Sequence, residues 1–143
     1  MDDIRQHLIE WKLNKLNFAF FRHLDRREYD DAAQLITPDG IIHFTGGVTR
    51  GRAAFCDYTR QWPDLTVRHV VSNLLYSELT EDSARGEGLL AVFVGPGQTG
   101  DAPVPRHPSE PHLAEVQDFY RLTDEGWRIA ERRFKNLLLP AHS

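Results

Sequence analysis

Residues 65–76 read LTVRHVVSNLLY, an apolar run with an imidazole in its middle. With the two-residue period of a strand, Leu65, Val67, His69, Val71, Asn73 and Leu75 share one face. Thr66, Arg68, Val70, Ser72, Leu74 and Tyr76 share the other. His69 and Asn73 therefore lie among aliphatics, where a polar ring is costly unless something satisfies it. Such a histidine is either a hydrogen-bonded core residue or a base facing a pocket. A base needs a carboxylate on one ring nitrogen, to fix the tautomer and stabilise the imidazolium while the other nitrogen takes a proton.

Asp25, in FFRHLDRREYDD, is the candidate carboxylate. It falls at the end of a predicted helix, where the helix dipole disfavours negative charge. It either caps the next helix, with Glu28 completing a D-x-x-E box, or turns inward to an imidazole. Spacing leaves the choice open, because 44 residues separate Asp25 from His69. On 112–123, His112, Ala114, Val116, Asp118, Tyr120 and Leu122 share a face, which points Asp118 and Tyr120 inward. Arg128, Arg132 and Arg133 on the last predicted strand read as a solvated face, with one reaching inward as an anion clamp as the alternative.

The seven histidines form no H-x-x-x-H or H-x-H pair, so no metal site is expected. No G-x-S-x-G elbow, P-loop or G-x-G-x-x-G occurs, and no cofactor is expected. Cys56, the single cysteine, lies in a predicted helix and reads as a small buried hydrophobe rather than a nucleophile.

The elements that must position these residues are helices first and strands later. Ile9, Leu13, Leu16, Phe20 and Leu24 make one apolar stripe, predicting a helix over 3–24. Shorter helices are predicted over 28–36 and 52–62, the second closed by Pro63. TPDG at 37–40 reads as a turn, 41–45 as a strand and 45–51 as a glycine-rich connection. Strands follow at 65–79, 83–94, 112–123 and 126–136, with TEDS and TDEG as hairpin turns. The stretch 95–111, with five of the eight prolines, reads as a loop over a pocket mouth or a long hairpin connection. This order predicts an α+β fold with an antiparallel sheet.

At 143 residues the chain reads as one domain, 1–143. Seventeen basic against 21 acidic residues give a net charge of −4, with no basic cluster for nucleic acid. No apolar run approaches the roughly 20 residues of a membrane span, and MDDIRQHLIEW carries acids where a signal peptide has positive charge. One cysteine fits a reducing compartment, so a cytoplasmic protein is expected. Val70, Leu74 and Tyr76, opposite His69, form a strip that a monomer would leave wet, predicting a homodimer through the sheet's outer face.

The order of elements, with LDRREYDDAAQLITPDGIIHF, RHVVSN and DFYRLTDEGWRIAERR, resembles the SnoaL-like, scytalone dehydratase-like branch of the nuclear transport factor 2-like superfamily over nearly the whole chain. The resemblance implies a cone-shaped α+β barrel, a curved sheet around a pocket closed by helices, often assembled as a dimer or trimer. In the lyase members an aspartate at the end of the first helix pairs with a strand histidine that removes a substrate proton, and these map onto Asp25 and His69. Leu24 and Phe44 stand where scytalone dehydratases have pocket tyrosines, Val94 where they have a second histidine, and Val116 where they have an asparagine. The implied activity is that of a cofactor-independent lyase or isomerase on a small, largely apolar cyclic substrate. Asn73, Asp118 and Tyr120 would position its oxygens, and Phe20, Phe44, Trp62, Val67, Val71, Val94 and Val116 would form the walls. The alternative is a non-catalytic binding or scaffold protein resembling the small subunits of ring-hydroxylating dioxygenases.

Overall fold

A computed structural model describes residues 1–105 and 111–140. Part of the connection 95–111 thus lies outside the described residues, and with it the reading of that stretch as a loop over a pocket mouth.

Helix α1 (Asp3–Asp25) is long because its stripe recurs without a breaker; Ile9, Leu13, Leu16, Phe20, Phe21 and Leu24 are all buried. Its first turn is capped by Asp2, whose side chain accepts the Arg5 N–H at 2.8 Å. Helices α2 (Tyr29–Gln34) and α3 (Arg52–Thr59) are shorter than predicted. Cys56, in α3, is buried, and burial first, then a hydrogen bond to Asp30, pushes its thiol up. The strands are β1 (Ile36–Phe44), β2 (Gly47–Arg50), β3 (Leu65–Ser77), β4 (Ser83–Pro96), β5 (His112–Thr123) and β6 (Gly126–Leu138). They form one curved sheet in the order β2-β1-β6-β5-β4-β3, antiparallel except for the β1–β6 pair. Helix α1 packs against β3 and β6, and α3 against β1 and β2, so the architecture is α+β. Among the described residues, no helix is long and apolar enough to cross a membrane.

Three local readings change. TPDG does not form a separate turn. It is carried inside β1, whose register against β6 shifts between Ile36 and Ile41, and a side chain at Gly40 would collide with Ile36. The glycine-rich connection contains β2, which pairs with β1 from Arg50 to Gly47.

The third change bears on the site. Between Ser72 and Leu75 the register of β3 against β4 slips by one residue, and Asn73 takes φ +52°. The alternation flips there. Val67, His69 and Val71 lie on the inner side before the bulge, while Leu74 and Tyr76 take it over after. Asn73 is therefore exposed and does not share His69's face, and Leu74 and Tyr76 are not part of an outer strip. Two glycines opposite make room for the switch. A Cβ at Gly88 would lie 2.7 Å from Leu74, and one at Gly86 would lie 2.8 Å from Tyr120 and 3.1 Å from Tyr76.

Candidate active site

Helix α1 delivers Asp25 at its last turn, and the chain then leaves through Arg27 at φ +60°. Strand β3, the border of the sheet, delivers His69. Asp25 Oδ1 lies 2.6 Å from His69 Nδ1, and the same carboxylate accepts the His69 backbone N–H at 3.1 and 3.2 Å. One acid thus holds both the ring and the main chain of one residue. Asp25 does not cap α2: Glu28 occupies that cap without a side-chain hydrogen bond, and its carboxylate binds His23 at 3.0 Å. The two side chains are only 13% (His69) and 12% (Asp25) exposed, so water competes weakly for the pair. With a carboxylate accepting from Nδ1–H, the lone pair of the neutral ring is on Nε2, which has no hydrogen-bond partner among the described residues.

His69 lies on the wall of a cavity of about 280 Å³ between helices and sheet. Its apolar wall includes Leu24, Phe44, Trp62, Leu90, Val92 and Phe134, and Tyr58, Thr45 and Asn136 supply polar atoms. Phe44 organises the aromatic side. Tyr58 stacks on it at 4.4 Å, Phe134 at 5.8 Å, and Trp62 stands perpendicular at 5.7 Å.

Of the expected wall residues, Phe44 and Trp62 line this cavity. Phe20 and Val116 are fully buried in the core behind it. Val71 faces a different groove, between α1 and β3, and Val67 and Val94 pair with each other outside the lining. Tyr58 was missed, although in the predicted helix over 52–62 its spacing of four from Trp62 puts both on one side.

Asp118 and Tyr120 do point inward, but into a closed network rather than the cavity. Arg132 is fully buried and grips Asp118 with two hydrogen bonds of 2.8 Å, from Nε and Nη2. The Tyr120 hydroxyl donates to Asp118 at 2.5 Å and accepts from Asn17 at 2.9 Å, while Arg132 also donates to the Asn17 side-chain oxygen Oδ1. The guanidinium lies over Phe20 at 4.9 Å and Phe21 at 5.0 Å, and Phe21 in turn packs on the His69 ring at 5.4 Å. Burial pushes the Tyr120 hydroxyl well above its usual range, and the Asp118 charge adds to this. Burial would lower Arg132, but Asp118 outweighs it and keeps the guanidinium charged. Of the three arginines on β6, Arg132 is thus the one that reaches the interior.

Among the described residues, His23, Glu28 and Asp31 bring potential metal-ligand atoms within 4.8 Å of one another. None of the three lines the cavity.

No curated protein is similar to this chain by sequence. Solved structures are similar throughout. A variant of Rv3472, a Mycobacterium tuberculosis protein of unknown function, is 28% identical with a TM-score of 0.75, over 92% of this chain and 78% of that one. A type 2 hexachlorocyclohexane dehydrochlorinase, LinA, has a TM-score of 0.80 at 15% identity, over 99% and 95% of the two chains. A candidate scytalone dehydratase from Novosphingobium aromaticivorans has 0.73 at 16%, over 96% and 91%. At those last two identities the likeness is one of fold. The sequence itself carries the assignment further: the profile of the SnoaL-like domain matches residues 7–133, a span containing both halves of the Asp25–His69 pair, and the chain belongs to that family.

Proposed function

We propose that this protein is a cofactor-independent lyase or isomerase for a small, largely apolar cyclic substrate, with His69 as general base. The carrying observation is the 2.6 Å Asp25–His69 contact beside a cavity walled by aromatic rings. Asp25 orients the ring and stabilises its protonated form, and Nε2 takes the proton from a carbon held against Phe44 and Trp62. At about 280 Å³ the space is just below the roughly 300–1,000 Å³ usual for ligand pockets, which suits a ring of modest size. Tyr58, Thr45 and Asn136 are the residues that would meet its oxygens, in place of Asn73, Asp118 and Tyr120. A dehydrochlorinase and a candidate dehydratase among the structural neighbours share the fold such chemistry uses. A scaffold with its interior filled by side chains would lack this space beside an imidazole.

Proton abstraction can be read before the substrate is known. In D₂O, cyclic ketones small enough for the cavity should lose their α-proton NMR signals faster with the wild-type chain than with a His69→Gln variant. Equal rates with both chains count against the base.

The chain is also proposed to assemble with itself through the outer sheet face, on a row different from the one expected. Val70, Ala91, Leu113 and Leu138 are successive register partners across β3, β4, β5 and β6, and Val70 and Leu138 are 53% and 63% exposed. Light scattering at micromolar concentration should give a multiple of 16.5 kDa, and Val70→Glu should reduce it to that mass. A monomeric wild-type chain overturns this reading.

A further inference from the structure

The Asp25–His69 pair has a second side. Besides the inner cavity, both residues line a groove of about 620 Å³ between α1 and β3. Arg22 and Arg26 enter it from α1 and Arg68 from β3. In a chain with 21 acids against 17 bases, counter-ions are plentiful. Arg5, Arg27, Arg52, Arg60, Arg85 and Arg132 each have a carboxylate within 4.0 Å. Arg22, Arg26 and Arg68 have none among the described residues; Arg50, Arg121, Arg128 and Arg133 have none either, but Arg22, Arg26 and Arg68 share one groove. Arg68 donates to the carbonyls of Val67 at 2.7 Å and Asp25 at 3.4 Å. The carboxylate on the groove wall, Asp25, is already committed to His69.

The negative end of α1 accounts for cations at Arg22 and Arg26. It does not account for Arg68, which comes from the opposite wall. Nor does it account for the apolar surface between them, where Phe18 is 47% exposed and Val70 53% exposed beside Ala19 and Val71. Arg22, Arg26 and Arg68 are all exposed beside that apolar floor. Their planar forks suit carboxylate, sulfonate and phosphate oxygens.

We propose that the α1–β3 groove binds a small organic anion, its apolar body on Phe18, Ala19 and Val71 and its acid group held by Arg22, Arg26 and Arg68. The ligand is separate from the ring compound proposed for the inner cavity, whose body lies against Phe44 and Trp62. The binding stands on the groove alone and holds whether or not His69 is a base.

The test is a fluorescence titration of the full chain with 1-anilinonaphthalene-8-sulfonate, beside N-phenyl-1-naphthylamine, which lacks the sulfonate. Each of Arg22→Gln, Arg26→Gln and Arg68→Gln should weaken the sulfonate dye roughly twofold to fivefold, the range of exposed charge contacts, and the triple variant about tenfold or more. Affinity for the neutral dye should stay within about twofold, and added salt should weaken only the sulfonate in the wild-type chain. Circular dichroism melts guard against a dye reporting unfolding, and if the triple variant fails to fold the single variants decide. A triple variant that keeps the sulfonate affinity, or loses both dyes equally, overturns the proposal.

Discussion

His69→Gln is expected to lower turnover at least about a hundredfold, the low end for a lost general base, while leaving the melting temperature within a few degrees of wild type. A hundredfold corresponds to about 2.7 kcal/mol of barrier. The small thermal effect follows from geometry. His69 lines both the inner cavity and the α1–β3 groove, so glutamine gives up little packing beyond the Phe21 contact, and its amide can still reach the Asp25 carboxylate. Asp25→Asn should cost nearly as much turnover. An asparagine amide can donate to Nδ1 and place the ring proton on Nε2, which removes the lone pair that the chemistry needs. The two losses should not add, because both residues serve one proton transfer. The measurement is kcat for the two single variants and the double variant, with thermal melts alongside. A His69→Gln chain that unfolds at room temperature while its folded fraction keeps full activity would mark the histidine as structural.

The second large effect is on stability. Arg132→Met should destabilise the fold by about 3–5 kcal/mol, the usual cost of removing one partner of a buried ion pair. The arginine is fully buried, and its loss leaves Asp118 with the Tyr120 hydroxyl as its remaining hydrogen-bond donor and Asn17 with its carbonyl unmet. For a chain of this size that loss lowers the melting temperature by roughly 10–20 °C. The paired replacement Asp118→Leu with Arg132→Met should recover much of it, since an apolar pair of similar volume strands no charge. Urea titrations of the three variants measure this. A single variant within about 1 kcal/mol of wild type would mean that water reaches Asp118 in solution.

The same two groups show how much the sequence could reveal. Asp25 and His69 were legible as residue types out of place, an acid at the wrong end of a helix and a base in a greasy strand. Their meeting was not, because it depends on where α1 lies across the sheet border. The helix stripe and the last four strands could be read because their periods hold for many residues. Asn73 could not be placed by the same rule, because a bulge interrupts the period; the residue type, tolerant of positive φ, and the glycines of GEG on β4 were the local signs. Arg132 was hidden for another reason. A charged strand residue ordinarily faces water, and its partners come from α1 and β5, with Asn17 and Tyr120 separated by 103 positions. The cavity lining mixes α1, α3 and five strands, and no single window of sequence contains it.

The hydrogen bonds from the Asp25 carboxylate to the main chain of His69 bear on solubility. Strand β3 is a sheet border of 13 residues, and a border strand of that length is a template on which another molecule's strand can add. Here one of its outward amides is already taken by an acid, and a few residues further on the Asn73 bulge bends the template out of plane. Growth across molecules is blocked at the position where the chemistry is proposed to occur. A preparation of an Asp25 variant that turns cloudy would therefore be reporting an opened sheet border, and its lost activity would say little about the imidazole until the soluble fraction had been measured separately.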